Sequence, residues 1–346
     1  LPSYQNELNK QRTEHLRLIL KELPLFCGEF FRAIENTTSV LTRLNYAYDL
    51  RIFFNYYINE VGSNRKKILD ITLDDLAHLT LKQVQIYAEY LNLYYTDDDK
   101  ERENKELGKK RKIASLRSFF KYFHKSGALK ENVCSLLDIP KIHEKPIIRL
   151  DHEEAAAMLD LAESGDSLSK TQKRFHKVNK VRDLAILTLF LTTGIRVSEL
   201  VGINMSDIDF RTNSFKVTRK GGSTVILYFG EEAKKTLLDY IEERKAGGSY
   251  TLSSPLFISL QDRRMSVRAV ENLVHKYAQI VSPLKKISPH KLRSTYGTLL
   301  YQETGDIYLV ADVLGHKDVN TTKKHYAAIT EENRKKASKY VKLRES

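Results

Sequence analysis

The sequence predicts a mainly α protein of two domains, with a small β-hairpin in the C-terminal one. Three observations carry that expectation. Apolar residues recur at spacings of three and four through most of residues 1–145. Pro140 and Pro146 bracket an extended polar stretch, 139–149, that cannot sit inside a helix. Beyond residue 200 the period switches to two over 214–229 and then becomes helical again. At 346 residues the chain holds roughly two domains of ~150 residues, each long enough to bury a core.

In chain order, an N-terminal extension occupies 1–30 and a helical domain 31–138. One helix of that domain carries Tyr46, Leu50, Phe53, Phe54 and Tyr57 on its apolar face, and another Val84, Ile86, Tyr87, Tyr90 and Leu91. A third, over about 109–125, places Leu116, Phe119, Phe120 and Phe123 on its apolar side. From Lys105 to Lys130 nine Lys or Arg stand against the single acid Glu106. A solvated helix face normally mixes both signs, so Lys109, Lys110, Arg111, Lys112, Arg117 and Lys121 are read as a phosphate-contacting surface. The run Asp97-Asp98-Asp99 reads as a loop.

The linker is placed at 139–149, the second domain at 150–329 and a tail helix at 330–346. Asp151 suits the N-cap of a helix running to Ala162, with Glu153 and Glu154 favourable in its first turn. Residues 167–180 contain Lys170, Lys173, Arg174, Lys177 and Lys180 and no acid beside them. They read as a basic loop or short helix, open between a ligand surface and an exposed insertion. From Leu184 to Thr192 the chain is apolar on every side, as a central buried helix would be. The hairpin is expected from Ser214–Thr218, a basic Gly-Gly turn at Arg219–Gly222, and Thr224–Phe229. Helical patterns resume from Glu231, from Ser266 and from His290. In the tail, Ala337, Tyr340, Val341 and Leu343 lie among charges, as in a short amphipathic helix that seeks another apolar surface.

Charge and composition exclude several classes. Lys and Arg number 57 against 44 Asp and Glu, a net charge of +13, which points to a polyanionic partner. Both halves contribute: residues 1–150 carry 25 basic and 20 acidic groups, the remainder 32 and 24. The longest strongly apolar run, Leu184–Leu191, is far short of the ~20 residues of a membrane span, and no signal-peptide pattern opens the chain. A cytoplasmic protein without membrane contact is expected. Cys27 and Cys134 sit in apolar helical contexts without metal-ligand spacing and are read as core residues, so neither a disulfide nor a metal site is expected. No Walker-type loop is present.

Four short motifs in the second domain are informative by their order. They are Thr193-Gly194-Ile195-Arg196-Val197-Ser198-Glu199-Leu200; Arg219-Lys220-Gly221-Gly222 in the hairpin; Pro289-His290-Lys291-Leu292-Arg293-Ser294-Thr295; and Leu314-Gly315-His316-Lys317-Asp318, with Tyr326 ten residues after His316. Each alone is common. Together, on a basic chain, they closely resemble the catalytic domain of the tyrosine site-specific recombinases, the family of phage-type integrases and Xer proteins. The helical first domain and the segment from Ile147 to Leu159 also look like the core-binding domain and junction of Xer-like and integrative-element integrases.

That resemblance implies two domains clamped around duplex DNA. Four protomers join two target sites and exchange strands through a 3′-phosphotyrosine and a Holliday junction, without metal or nucleotide cofactor. A second recombinase or an accessory directionality factor would be a further partner. The chemistry suits the residues. Negative charge gathers on the nonbridging oxygens of an attacked phosphodiester, and a planar guanidinium can donate two parallel charge-assisted hydrogen bonds there. Arg196 and Arg293 would do so, with His316 as a further donor. Tyr326 would be the nucleophile, assisted in losing its proton by His290. Lys220 matches the general acid for the leaving 5′-oxygen. Its neighbour Arg219 is too weak an acid to give up a proton readily and joins the DNA-contacting set. Glu199 and Asp183 are read as structural braces.

One departure stands out. Many relatives place the Tyr nine residues after the His, here it is ten, and on a helix one extra residue rotates a side chain by about 100°. The backbone there must bulge or break, or Tyr308 or Tyr340 must serve. The competing functions are a type IB topoisomerase, which uses the same kind of constellation but has no need of a synaptic tail, and a DNA-binding protein that has lost catalysis. The sequence names neither the target site nor the choice between mobile-element integration or excision and chromosome-dimer resolution.

Overall fold

The computed structural model describes residues 4–62, 67–96, 100–139, 147–219, 222–246, 248, 251–316 and 319. The chain divides into two compact units at Lys145/Pro146.

In the first unit α1 (Tyr4–Leu20), α2 (Cys27–Ala33), α3 (Val40–Tyr56), α4 (Leu73–Ala77) and α5 (Leu81–Tyr90) precede a short antiparallel pair, β1 (Leu93–Tyr95) and β2 (Glu101–Glu103), and then α6 (Glu106–Lys125). Thr72 and Thr80 start α4 and α5 through capping boxes with Asp75 and Gln83. The core is aromatic: Phe30, Phe53, Phe54, Tyr87, Phe119, Phe120 and Phe123 are buried, and Phe119 alone packs its ring against those of Phe26, Phe30, Phe54, Phe120 and Phe123. Each such side chain contributes roughly 1.5–3 kcal/mol by leaving water.

The structure revises five expectations here. Residues 1–30 are not a separate extension where they are described, because Leu16, Ile19, Leu23 and Cys27 belong to the same core as Phe30 and Phe54. Ile86 faces solvent. The apolar stripe of α3 continues past Tyr56 in a π-helical turn, Tyr57–Val61, and the β1–β2 pair interrupts a stretch read as helical. Lys112 leaves the phosphate-contacting set: it is buried, and its Nζ donates to Asn104 Oδ1 at 2.7 Å.

In the second unit α7 (His152–Ser164) starts on the Asp151–Glu154 capping box and stops at Gly165, whose φ of 74° is left-handed. Next comes α8 (Lys170–Thr193), capped by Ser169. The basic segment left open between loop and helix is the first part of this one helix, with Lys170, Lys173, Arg174, Lys177 and Lys180 exposed. Its later part, Ala185 to Leu191, is buried on every face. After α9 (Val197–Leu200), β3 (Ile208–Asp209), β4 (Ser214–Thr218) and β5 (Thr224–Tyr228) form an antiparallel sheet in the order β3-β4-β5. The β4–β5 register pairs Ser214 with Tyr228 and Thr218 with Thr224, and of the connection between them Arg219, Gly222 and Ser223 are described. Then follow α10 (Glu231–Ala246), α11 (Val267–Val281), α12 (Pro289–Thr304) and α13 (Ile307–Leu314). Cys27 and Cys134 are both buried and free. No described helix is long and apolar enough to cross a membrane.

A buried polar knot ties α8 to α11. Asp183 accepts from Arg182 at 2.9 Å, Lys276 at 2.8 Å and the Tyr277 hydroxyl at 3.0 Å. His176, also buried, meets the same hydroxyl at 3.2 Å, and burial lowers its pKa. Removing the acid strands two cations at low dielectric. Asp183→Ala is expected to cost about 3–5 kcal/mol in urea unfolding, a loss that Asp183→Asn reduces by keeping the acceptor oxygen. Two variants as stable as the parent would remove Asp183 from this role.

Candidate active site

The site is built where three helix ends meet. Gly194 closes α8 in the left-handed region at φ 60°, its N–H bonded to Phe190 O at 3.0 Å. A Cβ at this position would run into the Tyr296 ring and the Leu314 side chain, so only glycine lets α8, α12 and α13 converge here. The chain then extends through Arg196 (φ −77°, ψ 146°) into α9. Buried Glu199 accepts from the Arg196 backbone N–H at 3.1 Å and from its Nη1 at 2.8 Å. Held at both ends, the arginine points Nη2 at Leu314 O, 3.4 Å away, and Gly315 O, 3.3 Å away.

Arg293 reaches the same place from α12. Only 5 % of it is exposed; Nη1 donates to Gly194 O at 2.6 Å and Nη2 to Leu314 O. Pro289 opens α12, His290 follows it on the exposed side, and Arg293 lies one turn further in. Arg219, at the base of the β4–β5 loop, donates Nη2 to Val313 O at 3.4 Å. Three guanidiniums from three distant motifs therefore surround the carbonyls of residues 313–315. That is the C-terminal end of α13, which carries the helix's partial negative charge. Gly315 ends the helix at φ 61°, and half-buried His316 comes next, its N–H bonded to Ala311 O at 2.9 Å.

The arrangement presents a preformed array of donors. Carbonyl oxygens hold the forks of Arg196 and Arg293 in place; among the described residues Glu199 is the carboxylate drawn into the cluster, so three cations outweigh one acid. An anion with several oxygens, such as a phosphodiester, is the ligand this charge pattern complements. Lys220 and Tyr326, and the tail at 330–346, lie outside the described residues. Among the described residues no group of three or more His, Cys, Asp or Glu comes together to hold a metal.

The α6 cations are more occupied than their number suggests. Arg111 pairs with buried Asp49 at 2.5 Å; burial pushes the Asp49 carboxyl up, and Arg111 and Lys112 oppose the shift. Lys109 donates to Asn92 at 2.6 Å and Arg117 to Ser135 O at 3.4 Å. Lys110 and Lys121 project from the exposed surface. Sequence reading also missed two structural arginines: Arg244 donates to Pro255 O and Leu256 O, and Arg264 to Val201 O and Ile203 O. Nothing in a linear sequence separates such internal cations from those that face solvent.

Residues 149–333, more than half of the chain, match the model of the phage integrase family. The chain belongs to that family. Among curated relatives of this integrase-family chain, tyrosine recombinase XerC of Caldanaerobacter subterraneus subsp. tengcongensis is 33% identical over 287 residues, covering 80% of this chain and 75% of the relative. Tyrosine recombinase XerS of Streptococcus uberis is 27% identical over 358 residues, covering 95% and 98%. Solved structures share the fold: XerH bound to a palindromic difH substrate superposes with a TM-score of 0.62 at 18% identity, covering 88% of this chain and 81% of that one. The Tn1549 transposon integrase in complex with circular intermediate DNA gives 0.61 at 17% identity, covering 87% and 94%. This integrase-family chain is a tyrosine recombinase, an enzyme of site-specific DNA recombination.

Proposed function

We propose that this recombinase cleaves and rejoins DNA through a 3′-phosphotyrosine on Tyr326, with a tetramer of the chain holding two duplex sites. The observation that carries the reading is the convergence of Arg196, Arg219 and Arg293 on one helix end beside His316. A scissile phosphate taken there would receive the forks of Arg196 and Arg293 on its nonbridging oxygens, where charge grows in the transition state. The Tyr326 oxygen forms a bond to phosphorus while the bond to the 5′-oxygen breaks. The tyrosine proton passes to His290, and the Lys220 ammonium supplies the proton that the 5′-oxygen takes up. The new phosphotyrosine is close in energy to the phosphodiester it replaces, so attack by another 5′-hydroxyl reverses the step without ATP.

Lys110 and Lys121 on α6 and the exposed cations of α8 supply backbone contacts and the salt dependence of binding. The tail at 330–346 is assigned to docking on the next protomer, and the reaction to the cytoplasm. Target choice between mobile-element ends and a chromosomal resolution site, and any second recombinase or accessory factor, follow from the DNA that is recognised. The test is direct. DNA selected from a random-sequence pool for binding is placed twice on one plasmid and incubated with the protein. Recombinant circles and a Holliday junction are expected; supercoil relaxation without exchange between sites would replace this reading with a topoisomerase.

A further inference from the structure

Arg219 was read from sequence as one more DNA-contacting cation, but its guanidinium turns inward to α13. Nη2 donates to Val313 O at 3.4 Å. The group also lies over Gly315, so closely that a Cβ on that residue would overlap it. The backbone of Arg219 closes the loop at its base: its N–H donates to Ser223 O at 2.8 Å, and its carbonyl accepts from Gly222 N–H at 3.0 Å. Gly222 takes a φ of 86° to make that turn. The residue that follows β4 thus closes the turn and fastens it to the helix end where Arg196 and Arg293 also dock.

We propose that Arg219 is a positioning residue for the general acid: by tying the base of the β4–β5 loop to the carbonyl end of α13, it fixes the point from which the next residue in the chain, Lys220, enters the site. The inference rests on the reading of Lys220 as the acid. A loop of five residues between two strands has many arrangements, and a proton donor must lie within about 3 Å of the leaving oxygen to act. A tether at the loop's first residue removes most of those arrangements before the substrate arrives. Arginine suits the task because its planar guanidinium can lie flat over the glycine while Nη2 reaches a carbonyl, a geometry an ammonium does not reproduce. Gly315 is required twice over, for its left-handed φ and for the space the guanidinium occupies.

The test uses the full chain and nicked suicide duplexes carrying its selected site, one with the natural 5′-oxygen and one with a 5′-bridging sulfur, which leaves as a thiolate without needing a proton. Single-turnover cleavage is measured for the parent, Arg219→Ala, Arg219→Lys and Lys220→Ala. Both Arg219 variants are expected to cleave the oxygen substrate roughly 10²-fold more slowly and to recover most of that loss on the sulfur substrate. Arg219→Lys keeps the charge, so a parent-like rate on oxygen would overturn the tether. Equal losses on both substrates would make Arg219 a phosphate contact or a purely structural residue. If Lys220→Ala is rescued by sulfur and Arg219→Ala is not, this inference alone fails; if Lys220→Ala is not rescued, the assignment of the acid fails and takes the inference with it.

Discussion

Tyr326→Phe will bind the selected DNA as tightly as the parent and will form no covalent adduct on a nicked suicide substrate. The phenol oxygen is the atom that would bond to phosphorus, and its loss removes a step for which water is a poor replacement; the expected drop is roughly 10⁴-fold or more. Adduct formation is read on a denaturing gel and the attached residue by peptide mapping. The ten-residue spacing after His316 makes the controls informative. Tyr308 is 70 % exposed at the start of α13, at the opposite end from Gly315. Tyr296 packs at Gly194 close to the arginines, but burial pushes its phenol pKa up, the wrong direction for a nucleophile. Tyr308→Phe and Tyr296→Phe should therefore keep the adduct. An adduct that survives in Tyr326→Phe and disappears in either of the other two would move the nucleophile.

Arg293 carries the second large effect because it serves the fold and the phosphate together. Its two donors satisfy Gly194 O and Leu314 O, which belong to segments far apart in sequence. Arg293→Ala leaves those carbonyls short of partners at about 1–3 kcal/mol each and removes one fork from the phosphate, worth roughly 10²–10³-fold in cleavage. Arg293→Lys keeps a positive charge but cannot span both carbonyls, so it should recover DNA affinity more than it recovers rate. Urea unfolding together with single-turnover cleavage separates the two contributions. Parent-like cleavage by Arg293→Lys would show that charge alone is needed and that the fork is dispensable.

Much of the architecture was legible because it depends on local rules. The 3.6-residue stripe of Leu116, Phe119, Phe120 and Phe123 marked α6, the capping residue Asp151 marked α7, and the period-two run marked β4 and β5 to within a residue. The β1–β2 pair was missed because strands of three residues are shorter than any periodicity can announce. Lys112 was misread for a related reason: a stretch of cations looks like a solvated face until Asn104 and the Tyr94 ring enclose one member of it.

The site divides along the same line. Sequence by itself determined which residue types stand in which order, Arg196 before Arg293 before His316, and that order carried the resemblance to the tyrosine recombinases from which phosphoryl chemistry on DNA was expected. Only the tertiary structure decided that Arg219 faces the end of α13, that Arg196 and Arg293 dock on the carbonyls there, and that Gly194 is the point where three helices meet. The physical reason is range. Helix periodicity and capping act over a few neighbours in the chain, whereas a guanidinium is held by whichever carbonyls packing brings within about 3 Å of it, and those lie some hundred residues away.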